Sequence, residues 1–477
     1  MNDIRSNDIP AANLPRTKPV IIARADHPIS RAAISGAALK VLYRLKEAGF
    51  QAFLVGGSVR DLLLGVSPKD FDVATDARPE EVRRLFRNCR LIGRRFRLAH
   101  VVYGDEIIEV ATFRAAAAPA EIDDEDHREI DDAPPVDPRA SDHRASDDSG
   151  RILRDNLYGT IDEDVWRRDF GANALYYNIA DFSIWDYVGG VADVARRELR
   201  LIGDPETRYR EDPVRLLRAA RFAAKLGFTL HPDTLKPVAG VAPALSGVPA
   251  ARLFDETLKL FLGGHAAASW KSLGELGLIE QLFPAVAAEL ETDPDGPARQ
   301  LIDLGLRNTD ERVAQGKSVT PTFLFAVLLY GPIVRLAEDR IEQGVPELDA
   351  LGEAFDRIVS EQIRRVAVPK RFTLPLRELY GLQHRFESRG GRRALQLLDH
   401  PRFRAAYDFF LLRAEAGAAD PEVAAWWKEL VEMPPEARPE RAATVAEPAA
   451  DDGEPRKRRR RRRRRGGGGG GPAAEPA

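Results

Sequence analysis

The residues with the clearest chemical potential are two aspartates, Asp70 and Asp72, that follow a pair of glycines, Gly56 and Gly57, at short range. Alternate residues of a strand point to the same side, so both carboxylates of an Asp-x-Asp strand can bind Mg²⁺, which prefers oxygen ligands. Phe71 lies between them and is predicted to point into the core. The pattern predicts a site where magnesium meets a phosphate-bearing substrate.

The two glycines lie between an apolar run, Ala52 to Val55, and a helical stretch, Ser58 to Leu64. The run predicts a buried strand, and Ser58 suits the N-cap of the helix. Because glycine has no Cβ, the turn lets backbone N–H groups approach a triphosphate, and the positive end of the helix faces it too. Arg60 can then bind phosphate oxygens. The turn matches neither G-x-G-x-x-G nor G-x-x-x-x-G-K-[ST], which disfavours a dinucleotide fold and a P-loop.

A two-metal transferase needs a third carboxylate near the first two, because each Mg²⁺ requires an octahedral oxygen shell and the attacking hydroxyl must meet one metal. Glu109 is one candidate, in the predicted strand Ile107 to Arg114. Asp169, which follows Arg167 and Arg168, is the other. A surface salt bridge is the alternative for either residue, and their positions alone do not decide between them.

A basic helix is predicted farther along the chain, with Pro213 at its first position. Asp212, Arg215, Arg218 and Arg221 recur every three residues, so they form a spiral on a 3.6-residue helix and cannot all contact one small ligand. Asp212 and Arg215 suit the edge of a base, and Arg218 suits phosphate or ribose. Arg221 suits a structural ion pair.

The composition predicts a soluble protein: 477 residues, 44% hydrophobic and 30% charged, are enough for roughly two to four domains. One cysteine, Cys89, excludes an intramolecular disulfide and a cysteine-cluster metal site, and it suits a reducing cytoplasm. No apolar run reaches the roughly 18 residues of a membrane span. The longest, Phe323 to Val334, is broken by Gly331-Pro332 and is predicted to be a buried helix. The polar N-terminus is unlike a signal peptide.

Charge is strongly segregated along the chain. Residues 121 to 148 contain twelve acidic and three basic residues, which predicts a disordered acidic insertion at about residues 118 to 150. The C-terminus is rich in Ala, Pro and Glu before ten consecutive basic residues and a glycine run, so it is predicted to be a disordered basic tail. The ten basic residues are Arg456, Lys457, Arg458, Arg459, Arg460, Arg461, Arg462, Arg463, Arg464 and Arg465.

These patterns predict an α+β fold, in which an N-terminal catalytic head, a small mixed sheet with helices, precedes an all-helical neck and body. The predicted boundaries are a disordered N-terminus at 1–28, the head at 29–180, the neck at 181–245, the helical body at 246–433 and the tail at 434–477. Six helices are predicted by apolar spacing with Gly or Pro punctuation: Pro213 to Leu226, Ala251 to Leu262, Ala267 to Leu276, Thr322 to Leu329, Ala350 to Val366 and Gly391 to Leu398.

Four motifs together resemble the class II tRNA nucleotidyltransferase and bacterial poly(A) polymerase superfamily over roughly residues 30 to 280. They are G-G-x-V-R-D-x-L-L-G-x-x-x-x-D-x-D from Gly56 to Asp72, R-R-D-F-x-x-N-A-L from Arg167 to Leu175, D-x-x-G-G-x-x-D from Asp186 to Asp193, and E-D-x-x-R-x-x-R-x-x-R-F from Glu211 to Phe222. One departure is Gly171-Ala172, where the superfamily usually has Thr-Ile.

The resemblance implies a role for each matched residue. Asp70, Asp72 and Asp169 become catalytic carboxylates, the first two of them metal ligands. Asp212 and Arg215 become base readers. The remaining implied nucleotide contacts are Gly56, Gly57, Arg60, Arg168, Arg218 and Arg221, the last of which replaces the ion-pair interpretation.

The segment Leu91 to Val101 is similar to the signature of the poly(A) polymerase branch, in which two basic residues precede Phe and a hydrophobic-Ala-His-Val sequence follows. His100 within it is interpreted as a packed strand residue and not as a catalyst. The resemblance implies template-independent transfer of AMP from ATP to RNA 3′ ends, with two Mg²⁺ ions and release of pyrophosphate. CCA addition to tRNA is the alternative, and the intact carboxylates disfavour a non-catalytic RNA-binding protein.

The implied partners are RNA 3′ ends in the cytoplasm: messenger RNA, decay intermediates and tRNA precursors. RNA-decay machinery is a further implied partner, and DNA is not expected. The basic tail suits variable RNA ends, because release of counterions from phosphates gives affinity that does not depend on base sequence.

Overall fold

The computed structural model describes residues 18–93, 97–115, 145–146, 152–154, 158–387 and 389–443. Residues 1–17, most of the predicted acidic insertion and the basic tail 456–465 lie outside these ranges. The chain is α+β, as predicted, with an N-terminal sheet followed by helices. Its strands are β1 Val20–Ile22, β2 Ala52–Val55, β3 Asp72–Thr75, β4 Cys89–Ile92, β5 Leu98–Tyr103, β6 Glu106–Thr112, β7 Ala145–Ser146, β8 Ile152–Arg154, β9 Leu175–Asn178, β10 Ile184–Asp186, β11 Glu198–Leu199 and β12 Thr229–Leu230.

Eight strands form the head sheet, in the order β1-β10-β9-β2-β3-β6-β5-β4. β3 and β6 run parallel, and the other neighbouring strands run antiparallel. In this register, Asp72 at the start of β3 pairs with Val55 of β2 on one side and with Glu109 of β6 on the other. The sheet therefore brings Glu109 beside the Asp-x-Asp motif.

Both faces of the sheet carry apolar side chains, as the alternation of a strand requires. On one face, residues such as Leu54, Val73 and Val110 belong to the main core. On the other face, Phe53 and Val55 pack with side chains of the helix at residues 161–167 in a second cluster. Phe71 is 7% exposed and belongs to the main core, as its position between the two aspartates predicted.

The helical elements are named in chain order. They are α1 Gly36–Glu47, α2 Gly57–Leu63, α3 Pro79–Leu85, α4 Ile161–Arg167, α5 Gly190–Arg196, α6 Pro205–Glu211, α7 Val214–Leu226, α8 Pro232–Leu235, α9 Val238–Val241, α10 Ala250–Phe261, α11 Ala266–Glu275, α12 Ile279–Leu282, α13 Pro284–Thr292, α14 Pro297–Ala314, α15 Pro321–Glu342, α16 Glu347–Arg365, α17 Lys370–Glu387, α18 Gly391–Leu398, α19 Phe403–Glu415, α20 Pro421–Glu432 and α21 Arg438–Ala443. All six helices predicted from apolar spacing are present.

Helix α15 corrects one prediction, because Gly331-Pro332 does not break it and the helix runs on to Glu342. A Cβ at Gly331 would lie 2.6 Å from the Cβ of Ala298, so glycine here lets α14 approach closely. Among the described residues, α15 is the one helix long and apolar enough to cross a membrane, and 56% of its apolar window is buried inside the fold. A helix packed in the core of a domain has the same length and composition.

Three predicted boundaries also differ from the structure. Val20–Ile22, inside the predicted disordered N-terminus, forms the edge strand β1 because its backbone pairs with β10. The head sheet continues past residue 180, since β10 ends at Asp186. The helix Arg438–Ala443 lies within the predicted tail and contacts α18 and α20. Each difference reflects pairing with a segment distant in sequence.

The acidic insertion leaves and re-enters the head at a single point. Arg114 and Tyr158 form an antiparallel bridge, and the backbone N–H of Gly159 donates to the carbonyl of Phe113 at 2.9 Å. Strands β7 and β8 pair with each other within this stretch. Contacts of residues 113 and 114 with residues 158 and 159 therefore hold the two ends of the insertion together.

Candidate active site

The glycine turn between β2 and α2 has the geometry that only glycine adopts easily. Gly56 has φ +72° and is itself the N-cap of α2. Ser58 is not the N-cap, which corrects the prediction: its hydroxyl donates to the carbonyl of Val55 at 2.9 Å. A Cβ at Gly56 would lie 3.6 Å from Nη1 of Arg168, and one at Gly57 would lie 3.3 Å from Nη2 of Arg60. Two guanidinium groups therefore flank the turn.

The Arg60 side chain is buried, with 3% of it exposed. Its Nε and Nη2 donate to Oδ1 of Asp61 at 2.9 and 2.7 Å, and its Nη1 donates to Oδ1 of Asn173. These bonds connect α2 to the R-R-D-F-x-x-N-A-L segment. A direct contact between Arg60 and phosphate remains a prediction.

Arg168 is fixed by two side chains beside the turn. Its Nε donates to the hydroxyl of Tyr176 at 2.9 Å, and its Nη2 lies 3.1 Å from Oδ2 of Asp164. About a quarter of the side chain (24%) is exposed. The guanidinium is thus held in place at the turn while part of it stays open to a ligand.

The carboxylates at the β3–β6 junction are crowded. Partial removal from water and the neighbouring charge of Glu109 raise the pKa of Asp72 to about 6, and Asp70 acts in the same direction. Arg168 and His100 oppose the shift. Removal from water and nearby negative charge together therefore disfavour the ionised form of Asp72.

This donor set fits magnesium, which proteins commonly bind through one or two carboxylates completed by substrate phosphates. A cation between Asp70 and Asp72 would offset the desolvation of Asp72 and its repulsion by Glu109 and Asp70, all of which raise its pKa. Within the part of the chain that the structure describes, no three His, Cys, Asp or Glu side chains form a complete metal cluster.

Asp169 is bound elsewhere in the site. Its Oδ2 accepts hydrogen bonds from Nε and Nη2 of Arg218 at 2.8 and 2.6 Å, and its Oδ1 accepts one from the backbone N–H of Phe170 at 2.8 Å. Burial alone would raise the pKa of Asp169, but the Arg218 guanidinium lowers it overall. The structure thus ties Asp169 to neck helix α7, whereas Glu109 is the carboxylate in register with Asp72. The catalytic role of Asp169 stays a prediction.

The predicted base readers are held by neighbouring groups. Asp212 is 9% exposed, and its Oδ2 accepts from Nη2 of Arg252 at 2.8 Å. Arg215 donates through Nη1 to the carbonyl of Arg208 at 2.6 Å and to Oε2 of Glu211 at 3.2 Å. The two residues lie at the junction of α6 and α7, at the end of the helix that carries Arg218.

Arg221 forms the ion pair that its position on the helix predicted. Its Nε lies 2.7 Å from Oε1 of Glu256, whose side chain is only 2% exposed. This confirms the ion-pair interpretation, and a nucleotide contact by Arg221 stays a prediction. Glu256 and Arg252 both lie on α10, and no motif spacing in the sequence identifies them as partners of the neck helix.

The D-x-x-G-G-x-x-D motif forms a turn that packs against the R-R-D-F segment of the site. The Asp186 carboxylate accepts backbone hydrogen bonds from all four residues 188–191, at 2.8 to 3.1 Å. A Cβ at Gly190 would overlap the carbonyl of Gly171, so this glycine allows the turn to pack on the R-R-D-F segment. Asp193 is buried beside Gly171, and desolvation raises its pKa to about 7 although Arg200 and Arg196 lie near it.

Comparison with known proteins gives three family matches. The Poly A polymerase head domain matches residues 52–200, the family described as "Probable RNA and SrmB- binding site of polymerase A" matches 227–290, and the Polymerase A arginine-rich C-terminus matches 343–465. The chain is 48% identical over 425 residues to Poly(A) polymerase I of Escherichia coli O6:H1, covering 88% of each protein.

A second group of similar proteins is more distant in sequence. A CCA-adding enzyme of Bacillus subtilis is 36% identical over 245 residues, which are 51% of this chain and 55% of that protein. A crystal structure of a tRNA nucleotidyltransferase complexed with a primer tRNA and an incoming ATP analog aligns with TM-score 0.53 at 20% identity, covering 83% of this chain and 100% of the other. At this identity the structural likeness concerns the fold alone.

Proposed function

The chain belongs to the bacterial poly(A) polymerase family, and on that premise we propose that it adds AMP from ATP repeatedly to RNA 3′ ends without a template. The new bond joins the RNA 3′-oxygen to the α-phosphorus, and pyrophosphate leaves. The observation that carries this proposal is the convergence of the glycine turn, Arg168, Asp72 and Glu109 at one edge of β2, β3 and β6.

The residues around the turn hold the nucleotide. Gly56 and Gly57 leave room for the triphosphate, and Arg168 neutralises part of its charge from a fixed position. Asp70 and Asp72 would hold magnesium, which activates the attacking hydroxyl and stabilises charge on the phosphoryl group and pyrophosphate. Glu109 adds a third negative charge beside Asp72.

Selection of adenine would occur at the neck. Asp212 and Arg215 present a carboxylate and a guanidinium near the start of α7, and both groups can form paired hydrogen bonds with a base edge. To do so they must exchange their present partners, Arg252 and Glu211. Arg218 links this surface to the head through Asp169.

A primer-extension experiment tests this function. The full-length protein should extend an RNA oligonucleotide with ATP in Mg²⁺ well beyond three nucleotides and use CTP poorly, and Asp70→Ala or Asp72→Ala should abolish incorporation with unchanged circular dichroism. Asp169→Ala, if that residue is catalytic, should be nearly as severe. A product that ends after C-C-A on a trimmed tRNA would favour tRNA repair instead, and near-normal turnover of Asp72→Ala would refute the active-site assignment.

The partners follow from the same activity. We infer that the substrates are cytoplasmic RNAs with accessible 3′ ends, such as messenger RNA, decay intermediates and tRNA precursors. The basic residues 456–465 would bind phosphates of these RNAs, since release of counterions favours any single strand. RNA-decay machinery is a candidate protein partner of the tail.

A further inference from the structure

The sheet face that carries Asp72 has one half buried under α4 and one half that is only partly buried within the described part of the chain. The half formed by β9, β2 and β3 packs under α4, so that Phe53 and Val55 are buried. On the other half, Ile107 is 53% exposed, Arg90 is exposed and His100 is half-buried. We call this half the β4–β6 shelf, formed by Arg90, Ile92, Leu98, His100, Val102 and Ile107.

The shelf is a continuous surface of apolar and basic side chains. Its residues alternate with Ala99, Val101 and Ile108, which are fully buried in the main core. Each strand therefore has one buried face, and its other face is the shelf. The shelf side chains are apolar or basic, and the one carboxylate that borders them on β6 is Glu109.

The shelf begins at the catalytic carboxylates. One row of directly paired residues crosses the sheet from Asp72 to Glu109, His100 and Arg90. Directly paired residues share a face, and His100 Nε2 lies 3.7 Å from Oε2 of Glu109. Three strand spacings separate Asp72 from Arg90, about 14 Å in total. The row therefore changes from acidic to basic with distance from Asp72.

If the proposed function holds, the geometry of AMP transfer indicates the side from which RNA approaches Asp72. The nucleotide then lies on the β2 side of Asp72, beside the glycine turn and Arg168. The attacking and leaving oxygens are roughly in line in phosphoryl transfer, so the RNA hydroxyl must approach from the side opposite pyrophosphate. On that side Asp72 pairs with Glu109 of β6, and the surface of the sheet continues from there over β5 and β4.

We propose that the β4–β6 shelf binds the last nucleotides of the RNA that receives AMP. Ile107 and the neighbouring aliphatic side chains contact bases or riboses, and His100 and Arg90 contact backbone phosphates. Proteins that bind single strands without sequence preference combine a positively charged groove with aromatic side chains on which bases stack. On the shelf, aliphatic side chains take the place of the aromatic ones. This arrangement presents the 3′-hydroxyl at Glu109 and Asp72 whatever the terminal base is.

Two full-length variants test the shelf. Ile107→Glu places a negative charge where RNA is expected, and Ile21→Glu is the matched control, because Ile21 is 57% exposed in β1 at the opposite edge of the same sheet. We measure KM for a short RNA primer and KM for ATP. Ile107→Glu should raise primer KM about fivefold at low salt, the effect of one unit charge at about 4 Å from a phosphate in bulk water. The ATP KM, and kcat at saturating primer, should change less than about twofold.

The control should leave all three constants unchanged. The proposal is wrong if primer KM is the same in Ile107→Glu and Ile21→Glu, or if Ile107→Glu raises the KM for ATP as strongly as that for primer.

Photo-crosslinking separates this proposal from the activity on which it depends. RNA with 4-thiouridine at its 3′-terminal position is irradiated with the wild-type protein in the absence of ATP, and crosslinked peptides are mapped. We expect crosslinks within residues 97–112. If these appear but the protein adds no AMP to RNA, the proposed function fails and the shelf remains an RNA site. If AMP is added but the crosslinks map only to the neck or helical body, the shelf is wrong.

Discussion

The two candidates for the third carboxylate respond differently to removal of charge. Asp169→Asn breaks a bidentate pair with Arg218 in which the carboxylate side chain is only 10% exposed. Breaking a buried pair costs about 3 to 5 kcal/mol, and the 34% exposure of Arg218 places the loss near the lower value. At about 2 to 4 °C per kcal/mol for a cooperative unit of roughly 150 to 250 residues, the size of the head and neck together, the melting temperature of that unit should fall by roughly 6 to 12 °C.

Glu109→Gln should leave stability almost unchanged. Its side chain is 42% exposed, and its contact with His100 is 3.7 Å long, so the lost attraction is worth about 0 to 1 kcal/mol. The substitution also removes repulsion with Asp72. The activity of Glu109→Gln, in contrast, should fall strongly. We expect kcat to decrease about 10² to 10³-fold, the loss typical of one group that stabilises transition-state charge.

Calorimetry and AMP incorporation, measured on the same preparations, check both expectations. Incorporation is assayed at a temperature at which Asp169→Asn is fully folded, with Asp72→Asn as the inactive reference. The reasoning is refuted if Asp169→Asn melts like the wild type yet is as inactive as Asp72→Asn, while Glu109→Gln retains turnover. Asp169 would then be the third carboxylate, as the superfamily resemblance implies.

Three further predictions concern charge, packing and the tail. The folded-state pKa of Asp72, about 6, lies above its ordinary 3.8, so its ionisation destabilises the fold above pH 6 and has no effect well below pH 4. In chelator, Asp72→Asn should therefore raise the free energy of unfolding at pH 7.5 by about 1 kcal/mol after allowance for solvent screening, and the gain should disappear by pH 4. In urea unfolding, Gly190→Ala should cost about 3 kcal/mol because its Cβ meets the Gly171 carbonyl, whereas Gly240→Ala, with open space around it, should cost nothing; equal effects would contradict this packing. Deletion of residues 456–465 should lower the slope of log RNA affinity against log salt by up to about 7 without loss of activity on short primers at low salt. An unchanged slope would point to a protein partner or a membrane surface for the tail.

Local elements of the fold were predictable from the sequence. Strand Ala52–Val55 and helix Gly391–Leu398 have the predicted bounds, because apolar spacing and glycine punctuation act within a few residues. The position of Glu109 beside Asp72 depends instead on the parallel pairing of β3 with β6. The sequence around Glu109 contains no signal of that register.

Candidate site residues could likewise be identified from the sequence, whereas the residues that pair with them could not. The three-residue spacing favours an ion pair for Arg221 and the superfamily resemblance implies a nucleotide contact, and the structure supplies Glu256 as its ion-pair partner. The pairing of Asp212 with Arg252 spans 40 positions and two helices. A short motif identifies such residues, but only the packing of α7 against α10 shows which charges they meet.

The contacts that join the two ends of the acidic insertion indicate where the head can accept added residues. Arg114 and Tyr158 are bridged and Gly159 is bonded to Phe113, and we expect these contacts to persist when the number of residues between them changes. Each doubling of a flexible loop costs only about 0.6 kcal/mol. A reporter domain or an affinity tag inserted between these residues should therefore leave the register of the catalytic sheet unchanged.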